Sequence, residues 1–178
     1  LSSGLVNKAG IVEALSSAFS PPLFPFDLIK DNLFFNIMDF ETFQSAASDF
    51  FLIDTFRLNH PGGAAGYKIS IGEKSLVWGL DHEFGVDRQL DEDFARAARN
   101  SNLVIWDGMF TDKELAGKKG WGHSSIEQGL NFWTLNKPEQ LLITHHAPQR
   151  EDSELKLLSK RLLPKEVEFA KEKKKIKI

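Results

Sequence analysis

Apolar residues first recur at helical spacing over residues 7–18, where Ile11, Val12, Leu15 and Ala18 share one face and Ser20-Pro21-Pro22 ends the run. This predicts an amphipathic helix. Residues 23–26 form an apolar stretch that its prolines keep from being helical, and residues 33–38 and 50–59 are rich in β-formers and predict strands. Pro61-Gly62-Gly63-Ala64-Ala65-Gly66 interrupts the pattern before a strand over 67–71; Gly72-Glu73-Lys74 turns the chain into another over 75–80. The expectation is a β-meander at residues 33–81. Asp91 can cap a helix through Arg99 with Phe94, Ala97 and Ala98 inward, followed by a short buried strand over 102–106. Ser124 or Ser125 starts another helix through Leu135, residues 140–144 repeat the short apolar strand, and residues 152–163 and 165–171 predict closing helices. Helices alternating with short apolar strands after a meander give a layered α/β class. No repeat, linker or low-complexity segment divides the chain, and the lysines of 171–177 read as a solvated end.

Composition sharpens this picture. At 178 residues, 42% apolar and 11% aromatic, the chain suits one domain spanning 1–178 with an aromatic-rich core. The net charge of −3 provides no general field for a nucleic-acid backbone, so an anionic substrate must be held locally. Without cysteine there are no thiolate ligands, and a metal must take His and carboxylate. No apolar run approaches the ~20 residues that span a bilayer, so the expected location is cytoplasmic.

Four of the five histidines, His60, His123, His145 and His146, fall where a predicted strand ends or a glycine-rich loop begins, which is where ligands bind in layered α/β folds. His60 follows one predicted strand, Asp81 ends another and His145 ends a third. Imidazoles and carboxylates converging from different elements at ~2.0–2.2 Å are what zinc or manganese chemistry requires. Any one such histidine alone is more simply a hydrogen-bonded surface or core residue. Pro61 to Gly66 lacks the Lys-Ser/Thr ending of a phosphate loop and reads as a turn. Glu83, Asp112 and Glu114 read as loop acids or supports behind the ligands. Trp106 and Trp121 could stack on a base, although core packing is the commoner fate of such residues.

FSPPLFPFD (19–27), RLNHPGGAAGYKI (57–69), LVWGLDHE (76–83), LVIWDGMFTDKEL (103–115), GWGHSS (120–125) and LLITHHAPQREDSEL (141–155) together resemble the metallo-β-lactamase superfamily, and more closely the branch of cyclic-nucleotide phosphodiesterases and the tRNA 3′-processing endonuclease. The resemblance implies an αββα sandwich. It makes His60 and His145 metal ligands and Asp81 a carboxylate bridging two ions, zinc or manganese. His146, one residue further along, points away from that set. The resemblance also implies that His123 acts on the phosphate as a proton donor, oriented by Asp107 where the family keeps a Glu. The reaction implied is hydrolysis of a phosphodiester by metal-activated water. A small diester such as a cyclic nucleotide is preferred over RNA, because no basic stripe is present.

The family's His-x-His-x-Asp-His motif is not found, and the chain opens on Leu1 at a point past where that motif should lie, so the N-terminal part of the fold is expected to be missing. On that expectation His60, Asp81 and His145 are too few for two complete shells. The chain alone should then hydrolyse little and should associate, as a homodimer or otherwise, through a bared sheet face. The alternative to a hydrolase is a non-catalytic interaction or dimerisation module on the same fold.

Overall fold

In the computed structural model, which describes residues 8–27, 29–31, 37–38, 40, 43 and 45–178, seven strands join in one sheet whose spatial order follows chain order. Strands β1 (Ser45–Ala47), β2 (Leu52–Leu58), β3 (Ala64–Ile71) and β4 (Lys74–Gly79) are antiparallel neighbours. From β4 onward the pairing is parallel, through β5 (Leu103–Asp107), β6 (Gln140–Thr144) and β7 (Val167–Phe169). A parallel neighbour requires a crossover, and helices α2 (Arg88–Ala98), α4 (Ile126–Asn136) and α5 (Asp152–Leu162) supply the three. Helix α1 (Lys8–Ala18) precedes the sheet, and the short α3 (Asp112–Leu115) follows β5. This α/β layering is the expected class. The strand expected over 33–38 lies largely outside the described residues, and Ile37 and Met38 belong to no element.

Register sorts the parallel strands into two faces. Val77, Val104, Leu141 and Val167 stand in one row across β4 to β7, and all four belong to the core shared with α2, α4 and α5. Phe94 of α2 is its centre: its ring stacks on Phe56 and Trp106 and meets Phe132 of α4 at 4.7 Å between centroids. A glycine at position 79 permits this approach, since a Cβ there would lie 2.2 Å from the Phe94 ring. Trp106 is therefore core, with its Nε1 donating to the Ser125 carbonyl. On the other face, the register partners Tyr67 and Trp78 are both substantially exposed.

Two local expectations are corrected. Residues 165–171 are not a helix: Val167 and Phe169 pair with Leu141 and Ile143 and bury their side chains, giving the sheet its last strand. Helix α2 begins four residues earlier than expected, capped by Asp87, whose carboxylate accepts from the Gln89 and Leu90 amides. Asp91 is committed elsewhere, accepting from His82 Nε2 and the Gly85 amide. Among the described residues no helix is long and apolar enough to cross a membrane.

Candidate metal centre

Because β4, β5 and β6 run parallel, their C-terminal ends reach the same edge of the sheet. The three ends present Asp81, Asp107 and His145. Asp81 and His145 both adopt a left-handed backbone with φ of 59°. For residues other than glycine this conformation costs of the order of 1–3 kcal/mol and clusters where function holds a side chain in place. The fourth member, His123, comes from the loop between α3 and α4. That loop is stitched to residues 82–84, since Ser124 Oγ donates to the His82 carbonyl and accepts from the Phe84 amide. Ser125 then starts α4 with a capping box closed by Gln128.

Asp107 organises the cluster. It is 1% exposed, and its Oδ2 accepts from His123 Nδ1 at 2.8 Å, His145 Nδ1 at 3.1 Å and the Asp81 amide at 3.0 Å, while Oδ1 accepts from the Met109 amide. Asp81 Oδ1 stands 3.9 Å from His123 Nδ1 and 3.8 Å from His145 Nδ1. With each Nδ1 donating to the same carboxylate, Nε2 is the nitrogen each ring leaves free.

Burial alone would raise the Asp107 pKa, but the hydrogen bonds from His123 and His145 outweigh it and hold the carboxyl below its ordinary range. The same contact raises His145, against partial burial, with the charges of Asp107 and Asp81 adding to the shift. The sign of the linkage follows. The His145 contribution to stability is fully present below its ordinary pKa of 6.5 and is lost as pH rises through the raised folded value. The Asp107 contribution is present above its ordinary 3.8 and is lost only as pH falls through the lowered one. In chelator, denaturant melts should show stability declining as pH rises above 6.5, and Asp107→Asn should flatten that decline. An unchanged slope in the variant would contradict the assignment.

The other sequence candidates fall around this cluster. His60 lies edge-on to His123, 5.5 Å between ring centroids, and shares with Asp81 a cleft of about 190 Å³. Its Nδ1 accepts from the Gly62 amide, and it is not one of the four residues whose ligand atoms lie together. His146 turns away, its Nδ1 donating to the Gly108 carbonyl and its ring edge-on to Phe169. Glu83 is buried and accepts from the Gly120 and Gly122 amides. Glu114 closes the capping box of α3 and pairs with Arg150, and Asp112 accepts from the Ser125 hydroxyl. His82, which carried no expectation, is fully buried, accepting from the Asn59 amide through Nδ1 and donating to Asp91. Its position between Asp81 and Glu83 was the available signal.

The four residues suit a divalent ion. Asp81, Asp107, His123 and His145 each offer one ligand atom, all within 4.8 Å of one another. Ligand atoms around a four-coordinate ion with ~2.0–2.2 Å bonds stand roughly 3–4 Å apart, so modest side-chain adjustment closes a shell. Two imidazoles and two carboxylates are also the borderline-to-hard set that zinc or manganese takes. In the hydrogen-bonded arrangement seen, Asp107 is taken up by the two rings, so Asp81 and the Nε2 atoms of the rings are the groups left to ligate an ion.

No protein-family model matches the chain, and no curated protein matches it. Among solved structures it resembles the metallo-β-lactamase fold protein YhfI from Bacillus subtilis, with a TM-score of 0.64 and 18% identity over 93% of this chain and 60% of that one. It also resembles human tRNase Z, short form, with a TM-score of 0.53 and 21% identity over 61% of this chain and 41% of that one. The chain thus spans less than two thirds of either protein. At these identities the likeness is one of architecture, and the mixed seven-stranded sheet with its helices has the metallo-β-lactamase fold.

Proposed function

We propose that this chain carries the site of a metal-dependent hydrolase acting on a phosphodiester. The observation that carries the reading is the convergence of Asp81, Asp107, His123 and His145 at one sheet edge, with Asp81 and His145 held in left-handed backbone to get there. The fold it shares with a tRNase Z supports a phosphodiester as the bond attacked. A cyclic nucleotide is our preferred substrate, since the net charge of −3 offers a long RNA no general attraction.

Asp81 and His145 are assigned to the metal, together with His60 once its ring gives up the Gly62 amide. A divalent ion held there would supply Lewis acidity and lower the pKa of water. Asp107 fixes the rings of His123 and His145 in one orientation and keeps a proton on each Nδ1. His123 Nε2 is then the position from which a proton passes to the departing oxygen of the diester. The exposed aromatic face of Tyr67 and Trp78 is proposed as a contact surface for association.

The test is hydrolysis of bis-p-nitrophenyl phosphate and of a cyclic mononucleotide by the protein with manganese or zinc. Turnover that requires metal and stops with chelator is expected. Cleavage of tRNA without turnover of small diesters would overturn the substrate choice, and metal-free protein in all preparations would favour the interaction module.

A further inference from the structure

We propose that Trp121 is a preorganised stacking platform for an aromatic base, so that the site takes a nucleotide rather than any phosphodiester. The inference rests on the hydrolase reading for the reaction, but its own support is separate. Trp121 is 55% exposed and lies two residues before His123. An exposed indole is unremarkable if the chain beneath it is loose, and here the chain is pinned on both sides. Glu83, 4% exposed, gathers the Gly120 amide at 2.8 Å and the Gly122 amide at 2.9 Å onto its carboxylate. Glu83 is itself tied through its backbone, whose N–H donates to the Asn59 carbonyl and whose carbonyl accepts from Asn59 Nδ2.

The two glycines are required by this arrangement. Gly120 and Gly122 have φ of 82° and 85°, and a Cβ on Gly122 would sit 2.1 Å from the His60 ring. Together they bend the chain around a buried anion and press it against His60, leaving the indole between them outside. Phe110 joins the platform to the chemistry, since its ring is edge-on to Trp121 and to His123 with centroids 6.4 Å from each. Lys118 Nζ lies over one face of the Trp121 ring, 3.8 Å from its centre, so a base takes the opposite face or displaces the ammonium.

An indole held by backbone rather than by its own burial retains a face for a ligand, at little entropic cost on binding. Base stacking on an aromatic side chain is tolerant of base identity, and its loss weakens binding by roughly 5- to 150-fold. A base on Trp121 with its phosphate directed past Phe110 towards His123 uses one pinned loop for both recognition and proton transfer. Trp78, the other exposed tryptophan, stands on β4 on the sheet face opposite the core and lines the cleft of His60 and Asp81, but it is not on the loop that carries His123.

The experiment is calorimetric titration of the protein with AMP, ribose 5-phosphate and inorganic phosphate, with manganese present. AMP should bind at least ~5-fold more tightly than ribose 5-phosphate, and Trp121→Ala should erase that difference while Trp121→Phe keeps part of it. Glu83→Gln, which loosens the clamp without touching the indole, should reduce the preference by a smaller factor. Equal affinity for AMP and ribose 5-phosphate in the wild type, or a preference that survives Trp121→Ala, overturns the platform even if metal-dependent turnover is found. Conversely, AMP selectivity through Trp121 without metal-dependent turnover sustains the platform and rejects the hydrolase.

Discussion

Asp107→Ala is expected to damage both the site and the fold. One carboxylate oxygen collects N–H groups from His123, His145 and the Asp81 backbone, and the other accepts from Met109, so its removal leaves several donors without partners in a buried place. Each such loss costs about 1–3 kcal/mol before relaxation; because the two rings can reach water, a net cost of about 2–4 kcal/mol in denaturant unfolding is expected. Metal affinity should fall further than stability alone suggests. Removing a carboxylate that orients ligating histidines typically lowers affinity by roughly 10- to 100-fold. Asp107→Asn preserves the volume and one acceptor, so it should destabilise less while still impairing metal binding. If Asp107→Ala bound metal as tightly as the wild type, Asp107 would have no part in organising the rings.

The second large effect is on rate. His123 sits with Nδ1 on Asp107 and its other nitrogen free, and general acid catalysis from such a position is worth roughly 10²- to 10⁴-fold. His123→Ala should therefore lower kcat by that range on a cyclic nucleotide, whose departing alkoxide needs a proton. The loss should be smaller on bis-p-nitrophenyl phosphate, because p-nitrophenolate leaves without one. An equal loss on both substrates, accompanied by loss of the metal, would instead make His123 a ligand.

How far the sequence led depended on what physical signal each element carried. The short apolar strands β5 and β6 and the turn-bounded β3 and β4 were legible because a run of Leu, Val and Ile between turn residues has few other solutions. Strand β7 was misread because its alternation is only three residues long, Val167, Glu168 and Phe169, set among lysines and glutamates that favour a helix. Its pairing with Leu141 and Ile143 is a tertiary fact. The start of α2 was displaced because Asp87 and Asp91 are equally good caps in sequence, and only the fold shows that His82 has claimed Asp91. The signal for α3 was present and passed over, since Thr111-Asp112-Lys113-Glu114 is a capping-box pattern.

At the site, strand-end position brought Asp81 and His145 into view, but not their backbone strain. The resemblance supplied the pairing of Asp107 with His123, and the structure adds that the same carboxylate oxygen also holds His145. The role of Glu83 was foreseen only in outline. That a buried carboxylate would gather two loop amides follows from the glycine conformations at 120 and 122, which no spacing rule states.

The central claim is that Asp81 and His145 help hold a divalent ion, and titration with cobalt(II), followed by its visible absorption, tests it most directly. Saturable binding with the intense bands of a four- or five-coordinate ion is expected. Asp81→Ala and His145→Ala should each weaken binding by at least ~10-fold, while His146→Asn, whose amide can still donate to the Gly108 carbonyl, should leave it unchanged. Absence of binding, or binding that survives both Asp81→Ala and His145→Ala, would contradict the account.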